Sequence, residues 1–209
     1  MSGLLMVPPQ ARALLVFAHG AGAGMCHPFM EAMAAMLADA GIGTFRFQFP
    51  YMEKHTRRPD PKPLLLATVR SAVREAVLQA NELPLFAGGK SMGGRMISMA
   101  QAEEPLDRVR GLVFFGFPLH PPGKPSTERA EHLSKMKIPM LFLQGTHDEF
   151  AELSLLTPII KKLKKTATLH LIEHADHSFH VPKKSGRTDD DVLHELRDVV
   201  KQFVDRLAR

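Results

Sequence analysis

Gly88-Gly89-Lys90-Ser91-Met92-Gly93-Gly94 is the stretch on which the reading of this chain turns. Before it stands the short apolar run Leu85-Phe86-Ala87, a buried strand by its pattern. After it, Met92 to about Ala102 carries apolar residues at helical spacing. A serine between a strand and a helix sits on a sharp, strained turn that pushes its hydroxyl outward. Strand and helix pass close together there, so the positions two residues away must be small. Gly89 and Gly93 meet that need. The turn also sets Ser91 at a helix N-terminus, where unpaired N–H groups and the helix dipole favour developing negative charge. Ser91 is therefore the candidate nucleophile. Lys90 fills the variable position of the motif and reads as a surface charge beside the site, outside the chemistry, with a contact to an anionic substrate group as the alternative.

Outward from this turn, short apolar runs alternate with helical patterns. Strands are expected at Leu14–Ala18, Thr44–Phe47, Leu112–Phe115, Met140–Leu143 and Thr168–Ile172. Helices are expected at Pro28–Ala40 (ended by Gly41), Leu64–Ala80, Leu155–Leu163 and Asp189–Leu207. That alternation implies an α/β fold in one domain over residues 1–209: a mostly parallel sheet of about six strands with helices on both faces. No repeat, low-complexity tract or linker divides the chain.

Two other glycine-rich readings fail on their own spacing. A phosphate-binding P-loop ending at Gly89-Lys90-Ser91 needs a glycine where Pro84 stands. A dinucleotide fingerprint in Gly20-Ala21-Gly22-Ala23-Gly24-Met25 needs a small residue in place of Met25. It also needs an acid after the second strand, where Gln48 and Phe49 stand.

A serine hydroxyl is a weak nucleophile at neutral pH and needs a base, which in turn needs an orienting acid. The loop after Leu143 reads Gln144-Gly145-Thr146-His147-Asp148-Glu149, and the loop after Ile172 reads Glu173-His174-Ala175-Asp176-His177-Ser178-Phe179-His180. Both leave the carboxyl edge of a parallel sheet, where ligands bind in such folds. Asp148 is the expected orienting acid and His177 the expected base. Asp176 adjoins His177 too closely in the chain to converge on it well. His174, Asp176, His177 and His180 lack the regular spacing of a helix-borne zinc site, so no metal is expected. The oxyanion donors are expected to be the Met92 N–H and one from His19-Gly20-Ala21-Gly22, with Ala21 favoured and Gly22 next. His19 reads as a brace for that loop. Cys26, beside His27, reads as a small packing residue. Met25, Phe49, Tyr51, Met52 and Phe117 could line a pocket or fill the core equally well.

Composition bounds the rest. With 44% hydrophobic and 23% charged residues the chain has the makings of a folded core and not of a disordered segment. Its formal net charge of +5 could suggest nucleic acid, but the basic residues are dispersed. The cluster Lys161-Lys162-Leu163-Lys164-Lys165 has no interleaved aromatics and reads as a solvated helix end, so no nucleic-acid partner is expected. No apolar run approaches the ~20 residues of a membrane span, and the first residues lack a basic leader. With a single cysteine, the expectation is a cytoplasmic protein without membrane attachment.

Taken together, these motifs resemble the α/β-hydrolase superfamily, in its small capless branch near dienelactone hydrolase. The resemblance runs along nearly the whole chain. It rests on His19–Gly24, Phe45–Tyr51, Gly89–Arg95, Phe117–Lys124, Gln144–Asp148 and Ala175–Phe179. It implies the fold, a Ser91–His177–Asp148 triad, and an open site without a lid, since only a Pro-rich loop separates Phe115 from Met140. It departs at the nucleophile, a cysteine in the dienelactone hydrolase pattern and Ser91 here, so that particular activity does not carry over. The expected function is a serine hydrolase of carboxylic esters or thioesters of small molecules, needing no cofactor. The alternative is a catalytically silent binding or scaffold protein on the same fold.

Overall fold

In the computed structural model, which describes residues 1–56, 58–80 and 82–208, strands and helices alternate along almost the whole chain. In chain order they are β1 (Gly3–Met6), β2 (Ala13–Ala18), α1 (Pro28–Asp39), β3 (Ile42–Phe47), α2 (Pro50–Glu53), α3 (Lys62–Gln79), β4 (Leu85–Lys90) and α4 (Met92–Glu103). Then follow β5 (Val109–Phe115), a 3₁₀ segment (Glu128–Lys135), β6 (Met140–Gly145), α5 (Leu153–Leu163), β7 (Ala167–Ile172) and α6 (Asp189–Leu207). The strands form one seven-stranded sheet in the order β1-β3-β2-β4-β5-β6-β7. Every neighbouring pair is parallel except β1 with β3, which is antiparallel.

The two faces of the sheet explain why the strands read as unbroken apolar runs. Side chains alternate across a strand. Leu14, Val16 and Ala18 of β2 join a core with α3, α4, the 3₁₀ segment and α5. Ala13, Leu15 and Phe17 point the other way, into a second core with α1 and α6. Both faces are covered, so both sets must be apolar. Helix ends follow local chemistry. α1 starts with Pro28 in its first turn behind the His27 ring, which accepts from the Phe29 N–H. α6 starts with a capping box between Thr188 and Asp191.

β1 is the element that periodicity does not reveal. All four of its residues are exposed, and it pairs on one side only, so neither burial nor alternation marks it. β5 to β6 is bridged by the segment 116–139, whose Phe117, Leu119 and Leu133 are buried in the core. Among the described residues no lid covers the carboxyl edge of the sheet, and no helix is long and apolar enough to cross a membrane. The loops after β2, β4, β5, β6 and β7 all leave that same edge, from the central strands out to the β7 side of the sheet.

Candidate active site

Ser91 caps α4 with φ +49° and ψ −117°, a backbone shape that L-residues rarely adopt. The turn is held by the Ser91 N–H donating to the Phe115 carbonyl at 3.0 Å and by crowding on both sides. A Cβ on Gly89 would stand 2.6 Å from the Gly94 nitrogen and 2.7 Å from the Ala18 carbonyl oxygen. One on Gly93 would stand 2.5 Å from that same oxygen and 2.6 Å from the His19 carbonyl. All of these obstacles are backbone, which cannot step aside. The two glycines are what let α4 start directly against β2.

The structure brings Ser91, His177 and Asp148 together from the ends of β4, β7 and β6. The Ser91 Oγ lies 2.8 Å from His177 Nε2, and His177 Nδ1 lies 2.7 Å from Asp148 Oδ2. The Asp148 side chain is wholly buried, so every lone pair must find a donor. Oδ2 also accepts from Gln144 Nε2, and Oδ1 accepts from the Phe150 N–H at 2.8 Å. The carboxylate is thereby fixed on two sides before the imidazole arrives. The Phe150 ring packs on His177 with centroids 4.2 Å apart. These partners imply a proton on Nδ1 and an Nε2 lone pair facing the serine.

Neighbouring acids and histidines fall elsewhere. Asp176 Oδ1 accepts from the Ser178 and His180 N–H groups at 2.7 and 3.0 Å, so it shapes the loop that carries His177. His180 pairs with Asp189 at 2.9 Å, which raises the imidazole pKa through that hydrogen bond and charge. His174 and His147 face each other with rings 5.7 Å apart. Among the described residues no group of three metal-ligating side chains converges.

The loop after β2 lies alongside Ser91; a Cβ on Gly20 would be 3.8 Å from the serine Cβ. His19 is fully buried and braces this loop. Its Nδ1 lies 2.8 Å from the Gly20 carbonyl, and its Nε2 accepts from the Phe49 N–H at 3.2 Å. Burial lowers its pKa, so it is neutral. The Gly22 N–H donates to the Tyr51 hydroxyl at 3.0 Å and is spoken for. Among the described residues the Ala21 and Met92 N–H groups make no hydrogen bond, and both flank Ser91.

A cavity of about 280 Å³ borders Ser91 and His177, walled by Ala21, His27, Phe29, Met30, Lys90 and Phe150 among others. Phe49, Tyr51 and Phe117 belong to the core instead. A larger hollow of about 410 Å³, lined by Pro8, Pro9, Arg12 and Gly41 among others, lies at the opposite edge of the sheet, where β2 and β3 begin. No serine or histidine lines it, so it offers no serine–histidine pair.

Two readings of the sequence need correction. Cys26 is exposed and does not pack as a small apolar residue. Lys90 is not a free surface charge: it is half-buried, lines the cavity beside Ser91, and its ammonium donates to the His177 carbonyl oxygen. β4 delivers it to the face where α1 and the β7–α6 loop meet, which only the sheet register decides. Gln144 also went unnoticed as a site residue. A buried glutamine at the end of an apolar strand, four residues before the acid, was its only signal.

A fold of this topology with a serine on the turn after its central strand defines a class, and a family model bears it out. Residues 11–205 match the alpha/beta hydrolase domain, and the chain belongs to that family. Solved structures agree in fold. The dienelactone hydrolase of Anabaena variabilis is 22% identical with a TM-score of 0.78, covering 99% of this chain and 92% of its own. An alpha-beta serine hydrolase homologue from Coxiella burnetii is 19% identical (TM-score 0.76; 97% and 90% covered). A serine hydrolase without lid from Xanthomonas campestris is also 19% identical (TM-score 0.72; 96% and 88% covered).

Proposed function

We propose that the protein is a serine hydrolase that cleaves carboxylic esters or thioesters of small substrates through an acyl-enzyme. The observation that carries this reading is the unbroken relay from Ser91 Oγ through His177 to the buried Asp148, at 2.8 and 2.7 Å, beside an open cavity. Ser91 Oγ attacks the acyl carbonyl while His177 Nε2 takes its proton. Asp148 orients the ring and stabilises its charged form. The carbonyl oxygen, now negative, is held by the Ala21 and Met92 N–H groups. His177 returns the proton to the departing alcohol or thiol. Water, activated by the same nitrogen, then releases the acid and frees Ser91.

Every step uses backbone dipoles and side chains, so the reading requires no cofactor. It takes the substrate to be a dissolved small molecule met in the cytoplasm, with neither nucleic acid nor membrane as partner. Apolar cavity walls favour a short acyl or alcohol group, and the Coxiella and Xanthomonas neighbours are themselves described as serine hydrolases.

The test is covalent labelling by a fluorophosphonate probe, followed by hydrolysis of a chain-length series of aryl esters and thioesters. Label on Ser91, absent from Ser91→Ala and from denatured protein, together with turnover, supports the reading. No label above the denatured control would make the protein a silent scaffold on this fold.

A further inference from the structure

The proposed chemistry makes no demand on Lys90, yet the structure surrounds its half-buried ammonium with partners. A buried ammonium loses its water shell, a cost that must be met by partners. One partner is the His177 carbonyl oxygen, to which Nζ donates. The rings of Phe179 and Phe29 are two more, with centroids 5.1 and 5.9 Å from Nζ. Those rings stack on each other at 5.7 Å and bridge α1 to the loop that follows His177.

The position of Nζ relative to the relay is given by Gly116. A Cβ built there would lie 3.0 Å from Lys90 Nζ, 3.4 Å from His177 Nδ1 and 3.5 Å from Asp148 Oδ2. Lys90 Nζ, His177 Nδ1 and Asp148 Oδ2 therefore gather around one point, and Lys90 lines the cavity that Ser91 borders. Gly116, at φ +68°, leaves the gap through which the three groups meet. Lys90 is also the residue next to Ser91, on the last position of β4. A single side chain thus ties the strand that carries the nucleophile to the main chain of the base.

We propose that Lys90 is a positioning residue: its ammonium holds the His177 main chain beside the Asp148–His177 hydrogen bond, fixing the imidazole between Ser91 and Asp148. The proposal rests on the hydrolase reading above. Loops are the most mobile parts of a fold, and His177 sits on one. A charge-assisted hydrogen bond is roughly twice as strong as a neutral one, so the tether depends on the proton that Lys90 carries. Burial pushes the Lys90 pKa down to about 8, against the pull of Asp148 and Asp176, the two carboxylates that face it. Below that pH the ammonium is present and the loop is held. As pH rises through it the charge is lost and the tether weakens.

The experiment compares the parent enzyme with Lys90→Met, which keeps the length of the side chain and removes the charge. Displacement of a reacting group can cost about 10²-fold in rate. The expected result is a kcat lower by about that factor with KM within about twofold. The parent should lose kcat as pH rises through about 8, and the variant should lack that limb. Its melting temperature should be unchanged or higher, because a buried charge has gone. A purely structural lysine would show the reverse, a lower melting temperature with the limb intact. In a protein carrying both Cys26→Ser and Lys90→Cys, aminoethylation of the introduced thiol restores an ammonium at the same reach. It should restore the rate and move the limb to lower pH, since the thioether makes the ammonium more acidic.

A second readout is independent of turnover. The lysine ε-¹³C resonance missing from Lys90→Met should titrate near 8 in the parent. Turnover and Ser91 labelling with a silent Lys90→Met, or a resonance titrating at the ordinary lysine value, overturns this proposal alone. Absence of labelling in the parent overturns the hydrolase reading instead.

Discussion

Among the described residues two serine–histidine pairs have nearly equal length. Ser91 Oγ lies 2.8 Å from His177 Nε2, and Ser98 Oγ lies 2.7 Å from His132 Nε2. Ser98 is on the same helix α4, two turns further along, and His132 is on the 3₁₀ segment that packs over it. By distance alone the second pair is the better one. Its protons run the wrong way. The Ser98 hydroxyl donates to the Arg95 carbonyl at 2.8 Å, so its only proton is in use and His132 must be the donor. Among the described residues no carboxylate pairs with His132. Burial and the charges of Arg95, Lys62 and Lys135 push its pKa down to about 4. Ser98 is fully buried, and the cavity beside Ser91 does not reach it. A short contact therefore does not make a nucleophile. The proposed chemistry also needs a free hydroxyl proton, an acid behind the base and access for a substrate, and of these two pairs only that of Ser91 has all three.

The comparison breaks first at the pairs themselves. Ser91→Ala and His177→Ala should each lower turnover by on the order of 10⁴ or more. Ser98→Ala should stay within a few-fold of the parent, measured by ester hydrolysis on purified, folded protein. Comparable losses at both serines would sink the distinction.

The acid behind the base comes next. Asp148→Asn should cost on the order of 10³–10⁴ in kcat, because the amide presents a donor to Nδ1 and favours the wrong tautomer. Gln144 would then face an amide in place of the carboxylate it bonds to. If Asp148→Asn is silent and Asp176→Asn is not, the acid has been misassigned.

Geometry without chemistry gives a smaller effect. Gly93→Val should lose at least about 10²-fold in kcat, since its Cβ would meet the Ala18 and His19 carbonyls at 2.5 and 2.6 Å. Gly93→Ala, which meets the same atoms, should lose activity in the same direction while circular dichroism still reports a folded chain. An unimpaired, folded Gly93→Val protein would remove the tight turn, and with it the reason Ser91 is exposed.

The smallest effect belongs to the second pair and concerns stability. His132 is held neutral in the fold down to about 4, whereas in the unfolded chain it takes a proton near 6.5. Between those values the unfolded state binds more protons, so its contribution to stability is complete above 6.5 and is lost as pH falls toward 4. For a half-buried ring screened by solvent the loss is on the order of 1–2 kcal/mol. Urea unfolding of the parent and of His132→Gln at about pH 7 and about pH 5, either side of the unfolded value, should show the parent losing more than the variant. Equal losses would place the acid sensitivity elsewhere.

What the amino-acid order alone determined is what repeats locally. Strand runs and helical spacing follow from which side chains a short segment must bury, so the parallel α/β fold, the turn at Ser91 and the loops bearing Asp148 and His177 were all legible before any coordinates. β1 was not, because an exposed edge strand buries nothing and leaves no period. Tertiary structure alone decided what each polar group meets. Lys90 and Ser91 are neighbours in the chain and both line the cavity, yet the Lys90 ammonium bonds the His177 main chain while the Ser91 hydroxyl meets the His177 ring. Asp176 adjoins His177 in sequence, yet Asp148, 29 positions away, is the carboxylate hydrogen-bonded to its Nδ1. Hydrogen bonds and charges act through a few ångströms of space. The register of the sheet, and not separation along the chain, sets which groups share that space.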